Sequence, residues 1–262
     1  MKIIASDYDG TLSYGGIDDK KREAIKKWRD HGNIFAIISG RGLSDALRIQ
    51  KKDKLSIDYF IAANGAIILN ANGEIISDVR CGGSIALPLL YLLFECGCPW
   101  GCVQTDFPCW VYADKNNCTE SGKYSLEDVP LIPFFNQIST ELPDCETAEK
   151  VTAVVKEQFG DFLNPMQNGV CIDIVRADID KAKGIYLLLD ILNAKHDDVI
   201  AVGDNINDKA MIEEFRSYAM NNGVELIKEL ADSTVSSVTE LIEKELEQTK
   251  INEGICYEKD IQ

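Results

Sequence analysis

Four short apolar runs, at residues 2–6, 33–39, 59–63 and 199–203, each break off into polar or glycine residues. That repetition constrains the fold more than any other feature of the chain. Within the runs apolar residues follow one another without alternation, as in strands buried on both faces of a parallel sheet. Amphipathic stretches at 18–31, 43–51, 184–192, 208–215 and 238–248 read as the intervening helices, with Asp18 as N-cap and Gly32 as C-cap of the first. The order predicts an α/β fold with a doubly wound parallel-sheet, Rossmann-like core. Such a core binds its ligands beyond the carboxyl ends of the strands. No solenoid-type repeat is present.

The middle of the chain follows different rules. All seven prolines lie between Pro88 and Pro165, and eight of the nine cysteines lie between Cys81 and Cys171. The expected organisation is a discontinuous catalytic core, 1–79 and 179–262, interrupted by an inserted α+β cap at 80–178 that the chain crosses into and out of once each. Helices are expected at 84–95 and 144–159. Strands are expected at 101–106, 109–113, 135–141, 161–166 and 170–175, the last two joined by a turn at Asn168-Gly169. The cap aromatics Trp100, Phe107, Trp110, Tyr112 and Phe134 are expected in its core and hairpin packing, with a sugar-stacking surface as the alternative. Cys96, Cys98, Cys102 and Cys109 have spacings that fit zinc poorly, so reduced, mostly buried thiols are expected.

Charge narrows the choice of partner. The 262 residues carry 27 basic and 43 acidic side chains, a net −16. That field repels polyphosphate and anionic membranes, so neither nucleic acid nor membrane is an expected partner. Asp7 comes too early for a signal peptide, and the longest apolar run, 85–94, is about half a membrane span and contains Pro88. The expectation is a soluble, cytoplasmic protein. The polar tail 249–262 lacks periodicity and is expected to be loosely ordered.

The strand ends carry the chemistry. The first leads into Asp7-Tyr8-Asp9-Gly10-Thr11 and the second into Ser39-Gly40-Arg41. Lys183-Gly184 opens the helix after the insert, and the last strand leads into Gly203-Asp204 with Asn207-Asp208 beyond. Asp7, Asp9, Asp204 and Asp208 would converge at one rim, which only a cation makes bearable, and Asp7 and Asp204 offer oxygen ligands suited to Mg²⁺. Asp7 is placed to attack phosphorus, and Asp9 to protonate the leaving oxygen and then activate water. The Tyr8 and Gly40 backbone N–H groups, the Ser39 hydroxyl, Lys183 and the Asn207 amide are the expected donors to the phosphoryl group, with Thr11 and Arg41 on the same phosphate side. Each piece alone has a plain structural reading as a turn, a cap or a solvated helix residue; together they fall at one sheet edge in the order phosphoryl transfer requires.

The joint pattern resembles the haloacid dehalogenase superfamily, in its Cof-type phosphatase branch. Asn64-Gly65-Ala66 after the third strand and the run Asn207-Asp208-Lys209-Ala210-Met211 add to the likeness. The resemblance implies that Asp7, the Asp9 carbonyl and Asp204 bind Mg²⁺, with Asp208 supporting them. It also implies an aspartyl-phosphate intermediate and a cap after the third strand. The leading expectation is a Mg²⁺-dependent phosphomonoester hydrolase of a small phosphorylated metabolite. A phosphomutase and a catalytically silent binding or regulatory protein are the alternatives. An ion-pumping ATPase is disfavoured by Asp9 and by the lack of a membrane span. Between 80 and 178 there are six basic residues (Arg80, Lys115, Lys123, Lys150, Lys156 and Arg176) against fourteen acidic ones. A leaving group with its own anion would need cationic partners there, so a neutral, hydroxylated sugar or polyol is expected.

Overall fold

In a computed structural model of the protein, the structure describes residues 1–114 and 123–259. Lys115, named above, lies outside the described residues. In chain order the first elements are β1 (Ile3–Asp7), α1 (Asp19–Asp30), β2 (Ile34–Ile38), α2 (Leu43–Asp53), β3 (Tyr59–Ala62), β4 (Ile67–Asn70), β5 (Ile75–Asp78) and β6 (Cys81–Gly82). Next come α3 (Ala86–Glu95), β7 (Trp100–Gln104), β8 (Pro108–Tyr112), β9 (Lys123–Tyr124), β10 (Phe134–Phe135), β11 (Gln137–Glu141), α4 (Cys145–Phe159), β12 (Leu163–Asn168) and β13 (Cys171–Arg176). The chain ends with α5 (Lys181–Leu192), β14 (Val199–Gly203), α6 (Lys209–Glu214), β15 (Arg216–Met220), α7 (Glu225–Leu230), β16 (Ser233–Val235) and α8 (Val238–Lys259). No helix among the described residues is long and apolar enough to cross a membrane.

Two compact units result: Met1–Ile37 with Asp53–Asp58 and Lys195–Gln262, and Ile38–Lys52 with Tyr59–Ala194. The expected insert, 80–178, lies wholly inside the second. In the first unit the strand order is β16-β15-β14-β1-β2. β1 runs parallel to β14, with Ile3 opposite Val199 and Ser6 opposite Val202. β14–β15 and β15–β16 are parallel too. Every residue of β1 and β14 is buried, which explains their unbroken apolar character. Chain order reverses at β1, since later strands add on one flank and β2 on the other. The β1/β14 crevice is therefore a topological switch point. Asp18 caps α1 by accepting from the Lys21 N–H at 2.9 Å. Buried Trp28 donates its indole N–H to Ile34 O at 2.8 Å, holding the end of α1 to β2.

The second unit carries β3-β4-β5, paired antiparallel, and a six-stranded sheet of order β12-β13-β11-β7-β8-β9. Strict alternation divides the six-stranded sheet. Val103, Ile138, Ile172 and Ile174 face a core shared with Leu89, Leu90 and Leu93 of α3 and Val151 and Val155 of α4. Gln104, Gln137, Ser139 and Asp173 lie in register on the opposite face, with Gln137 opposite Gln104 and Ser139 opposite Asp173.

Several elements depart from the sequence expectation. The β4–β5 hairpin was not anticipated, although Asn70 organises its turn by accepting from the Asn72 and Glu74 N–H groups. β15, α7 and β16 were also missed. The hairpin β12–β13 forms, but its strands run to Asn168 and restart at Cys171. The helix expected at 184 begins at Lys181, capped by Asp180. α8 continues as helix through the aperiodic polar tail to Lys259, and 260–262 lie outside the described residues.

The cap aromatics do not form the core. Phe107 is 55% exposed, and Trp100, Trp110, Tyr112 and Phe134 are half-buried. Trp100 and Trp110 pack together at 4.9 Å between ring centroids, on the same face as Gln104. Aliphatic side chains at alternate positions fill the core instead. Cys98, Cys102 and Cys109 are buried free thiols, whereas Cys145 is exposed; burial pushes the Cys102 thiol up to about 12.

Alternation makes a stability prediction. Ile138→Ala empties a fully buried position and is expected to cost about 2–5 kcal/mol in urea unfolding. A loss below about 1 kcal/mol would contradict the assignment of Ile138 to the core face.

Candidate active site

In the first unit, Asp7 is the last residue of β1 and Asp204 immediately follows β14, so two adjacent parallel strands deliver both carboxylates to the switch point. Asp208 lies one turn beyond Asp204. Its Oδ2 accepts from the Asp204 N–H at 2.8 Å and the Asn205 N–H at 3.0 Å, which fixes the loop carrying Asp204. Carboxylate oxygens of Asp7, Asp204 and Asp208 all lie within 4.8 Å of one another, with Asp7 and Asp208 buried. The donor set is oxygen only and rich in charge, which fits a small hard dication.

After Asp7 the chain makes a tight turn over Tyr8–Leu12 with Gly10 at φ +80°. A Cβ on Gly10 would stand 2.3 Å from Asp204 Oδ2, so that position requires glycine on both conformational and steric grounds. Thr11, expected on the phosphate side, donates its hydroxyl to Asp204 Oδ1 at 2.7 Å and braces that carboxylate. The Tyr8 hydroxyl donates to Asp53 Oδ2 at 2.5 Å, so its phenol anchors the turn. Asp9 is exposed and its carboxylate stands outside the group of three. Asn207 is half-buried in the turn after Asp204.

The second unit holds the remaining expected residues. Buried Ser39 donates its N–H to Ile61 O and accepts the Asn64 N–H on its own carbonyl, tying itself to β3 and the turn after it. Its Oγ accepts from the Arg41 N–H at 3.2 Å. The Arg41 guanidinium lies 4.0 Å from Asp45. Gly40 presents its carbonyl to Gln137 Nε2 at 2.8 Å. Lys183 is exposed, with Nζ 5.5 Å from the Tyr186 ring centroid. The fully buried lysine is Lys181, and its charge acts on Asp173. Because α5 starts at Lys181, the two lysines point roughly 200° apart at about 100° per residue.

Sequence reasoning also missed a polar cluster on the six-stranded sheet. Asp173 Oδ1 accepts from Ser139 Oγ at 2.7 Å and Gln137 Nε2 at 3.0 Å, and Oδ2 accepts from Asn64 Nδ2 at 3.0 Å. Burial pushes the Asp173 carboxyl above the usual range, opposed by the Ser139 and Asn64 hydrogen bonds and the Lys181 charge. The available signal was the pattern Gln-Ile-Ser at 137–139 and Ile-Asp-Ile at 172–174, which places polar side chains on one face by period two.

This architecture recurs among known proteins. A hydrolase described as haloacid dehalogenase/Cof-like from Plasmodium vivax superposes with a TM-score of 0.80 at 21% identity, over 95% of this chain and 96% of its own. A subclass IIB sugar phosphatase of the same superfamily superposes with a TM-score of 0.76 at 16% identity, over 93% and 98%. In sequence, a 5-amino-6-(5-phospho-D-ribitylamino)uracil phosphatase of Bacillus subtilis is 27% identical over 237 residues, 88% of either chain. The family model for haloacid dehalogenase-like hydrolases matches residues 4–241, and the chain belongs to that family.

Proposed function

We infer that this hydrolase is a phosphomonoesterase that transfers the phosphoryl group of a small ester first to Asp7 and then to water. The observation that carries the reading is the cluster of Asp7, Asp204 and Asp208 oxygens within 4.8 Å at the β1/β14 switch point, with Asp9 exposed two residues on. The phosphatases named among the similar proteins support the same reaction class.

The residues at hand fit Mg²⁺: Asp7, the Asp9 carbonyl and Asp204 would hold it, with Asp208 aiming Asp204 from behind. Bound there, the ion neutralises the carboxylates and draws charge from the phosphoryl oxygens. A carboxylate oxygen of Asp7 attacks phosphorus as the bond to the ester oxygen breaks, and Asp9 gives its proton to that oxygen. Asp9 then takes a proton from water, whose oxygen attacks the phosphorus and frees Asp7 and inorganic phosphate. The Tyr8 and Gly40 N–H groups, the Ser39 hydroxyl and the Asn207 amide are assigned to the phosphate oxygens, with Arg41 nearby in sequence. The lysine of this set is Lys181, because an exposed Lys183 is strongly hydrated and a buried ammonium is not.

A neutral, hydroxylated leaving group is the substrate class favoured by charge. Arg80 is ion-paired with Asp78 and Asp106, and Arg176 with Asp178, so these guanidiniums already have anionic partners. The ribityl phosphate and sugar phosphate named for two similar proteins agree with that class.

Two experiments test the reading. Excess chelator is expected to abolish hydrolysis of p-nitrophenyl phosphate, and Mg²⁺ to restore it. Ca²⁺ is expected to fail, because its longer bonds and higher coordination number let Asp7 bind through both oxygens. Full activity in chelator would overturn the metal assignment. Separately, Lys181→Met is expected to lower kcat/KM about 100-fold or more, as loss of a donor to the transition state does, while Lys183→Met stays within about threefold. The reverse ranking, in variants with matched melting temperatures, would return the role to Lys183.

A further inference from the structure

The cluster around Asp173 has more acceptors than donors. Both Asp173 oxygens accept from Ser139, Gln137 and Asn64, and a carboxylate retains room for further donors. Among the described residues, the buried side-chain atom with no hydrogen-bond partner is Asn64 Oδ1, another acceptor. Asn64 is itself fully buried, with its amide nitrogen committed to Asp173 and to Gln137 Oε1 at 3.1 Å. A buried acceptor left without a donor is unfavourable, so its retention points to a donor supplied from outside the chain.

The cluster sits against the loop that follows β2. Gln137 Nε2 donates to Gly40 O, and a Cβ on Gly40 would come within 2.7 Å of Asp173 Oδ2 and 3.0 Å of Asn64 Nδ2. One position further, a Cβ on Gly42 would meet Gln104 Oε1 at 2.5 Å. Glycines at 40 and 42 thus let the polar face of the six-stranded sheet approach a backbone that the proposed function assigns to phosphate binding. A ligand whose phosphate lies at Ser39 and Gly40 brings its next few atoms to Asp173 and Asn64.

We propose that Asp173, aimed by Ser139 and Gln137, determines substrate specificity by accepting hydrogen bonds from hydroxyl groups of the leaving group, with Asn64 Oδ1 as a second acceptor. The ligand class is a sugar or polyol monophosphate with hydroxyls close to the phosphorylated carbon. A carboxylate at this position also disfavours bisphosphates and phosphorylated acids, which would bring a second anion towards it. The inference rests on the phosphatase reading and adds the residues that choose the substrate.

The test separates the two claims. Hydrolysis of ribitol 5-phosphate, hexose 6-phosphates and p-nitrophenyl phosphate is compared in wild type, Asp173→Asn and Ser139→Ala. Binding of the same polyol and sugar phosphates is measured by calorimetry in Asp7→Asn protein with and without Asp173→Asn. The ratio of kcat/KM for the best polyol or sugar phosphate to that for p-nitrophenyl phosphate is expected to fall at least about tenfold in Asp173→Asn. A fall of about threefold or more is expected in Ser139→Ala, which leaves the carboxylate in place and guards against a folding artefact. An unchanged ratio in both variants overturns the proposal, as does p-nitrophenyl phosphatase activity with no binding of any sugar or polyol phosphate. Binding that weakens about tenfold with Asp173→Asn, in a protein that hydrolyses none of the esters, upholds the specificity role and defeats the phosphatase reading alone. Neither binding nor hydrolysis overturns both.

Discussion

Three carboxylates within 4.8 Å of one another are the constraint around which the first unit is organised. Negative groups this close repel strongly where water is scarce, and they hold their positions only if the surrounding backbone is rigid and a cation balances them. β1 and β14 provide the rigidity: parallel, in register and buried along their whole length, they present Asp7 and Asp204 from adjacent ends. Asp208 spends one oxygen on two backbone N–H groups, and the Thr11 hydroxyl takes Asp204 Oδ1. Gly10 lets the turn pass beside Asp204 without a side chain. The local sequence is thus explained by the need to hold charge in place.

The second unit solves a different problem with the same economy of means. Alternation gives its six-stranded sheet one aliphatic face, packed on α3 and α4, and one polar face carrying Gln104, Gln137, Ser139 and Asp173. A buried polar cluster is tolerable when its members satisfy one another, and here all but one acceptor are satisfied. Stability comes from one side of the sheet and the proposed chemical selectivity from the other, so substitutions on the two faces are expected to affect different properties.

Much of this was legible in the sequence because it depends on short-range periodicity. Unbroken apolar runs gave β1, β2, β3 and β14, and the residues at their ends gave Asp7, Asp204 and Asp208. Which lysine is buried was not legible, because helix start depends on the cap: Asp180 begins α5 at Lys181, which leaves Lys181 buried and Lys183 exposed. The aromatics misled for a related reason. Large side chains suggest a core, yet the pleat puts Trp100 and Trp110 on the same face as Gln104, and smaller aliphatic residues fill the interior. The contacts of Asn64 with Gln137 and Asp173 join residues 73 and 109 positions apart, and no local pattern encodes such a meeting.

The proposed mechanism has Asp7 carry the phosphoryl group between substrate and water. The direct measurement is to quench Asp9→Asn protein in acid during turnover of p-nitrophenyl phosphate and locate any phosphoryl adduct by peptide mass spectrometry. If Asp9 activates water as proposed, its loss slows breakdown of an acyl phosphate and the adduct accumulates. The expected result is an adduct on Asp7 that disappears in Asp7→Asn, Asp9→Asn protein. An adduct on another residue, or turnover with none on Asp7 at any quench time, would contradict it.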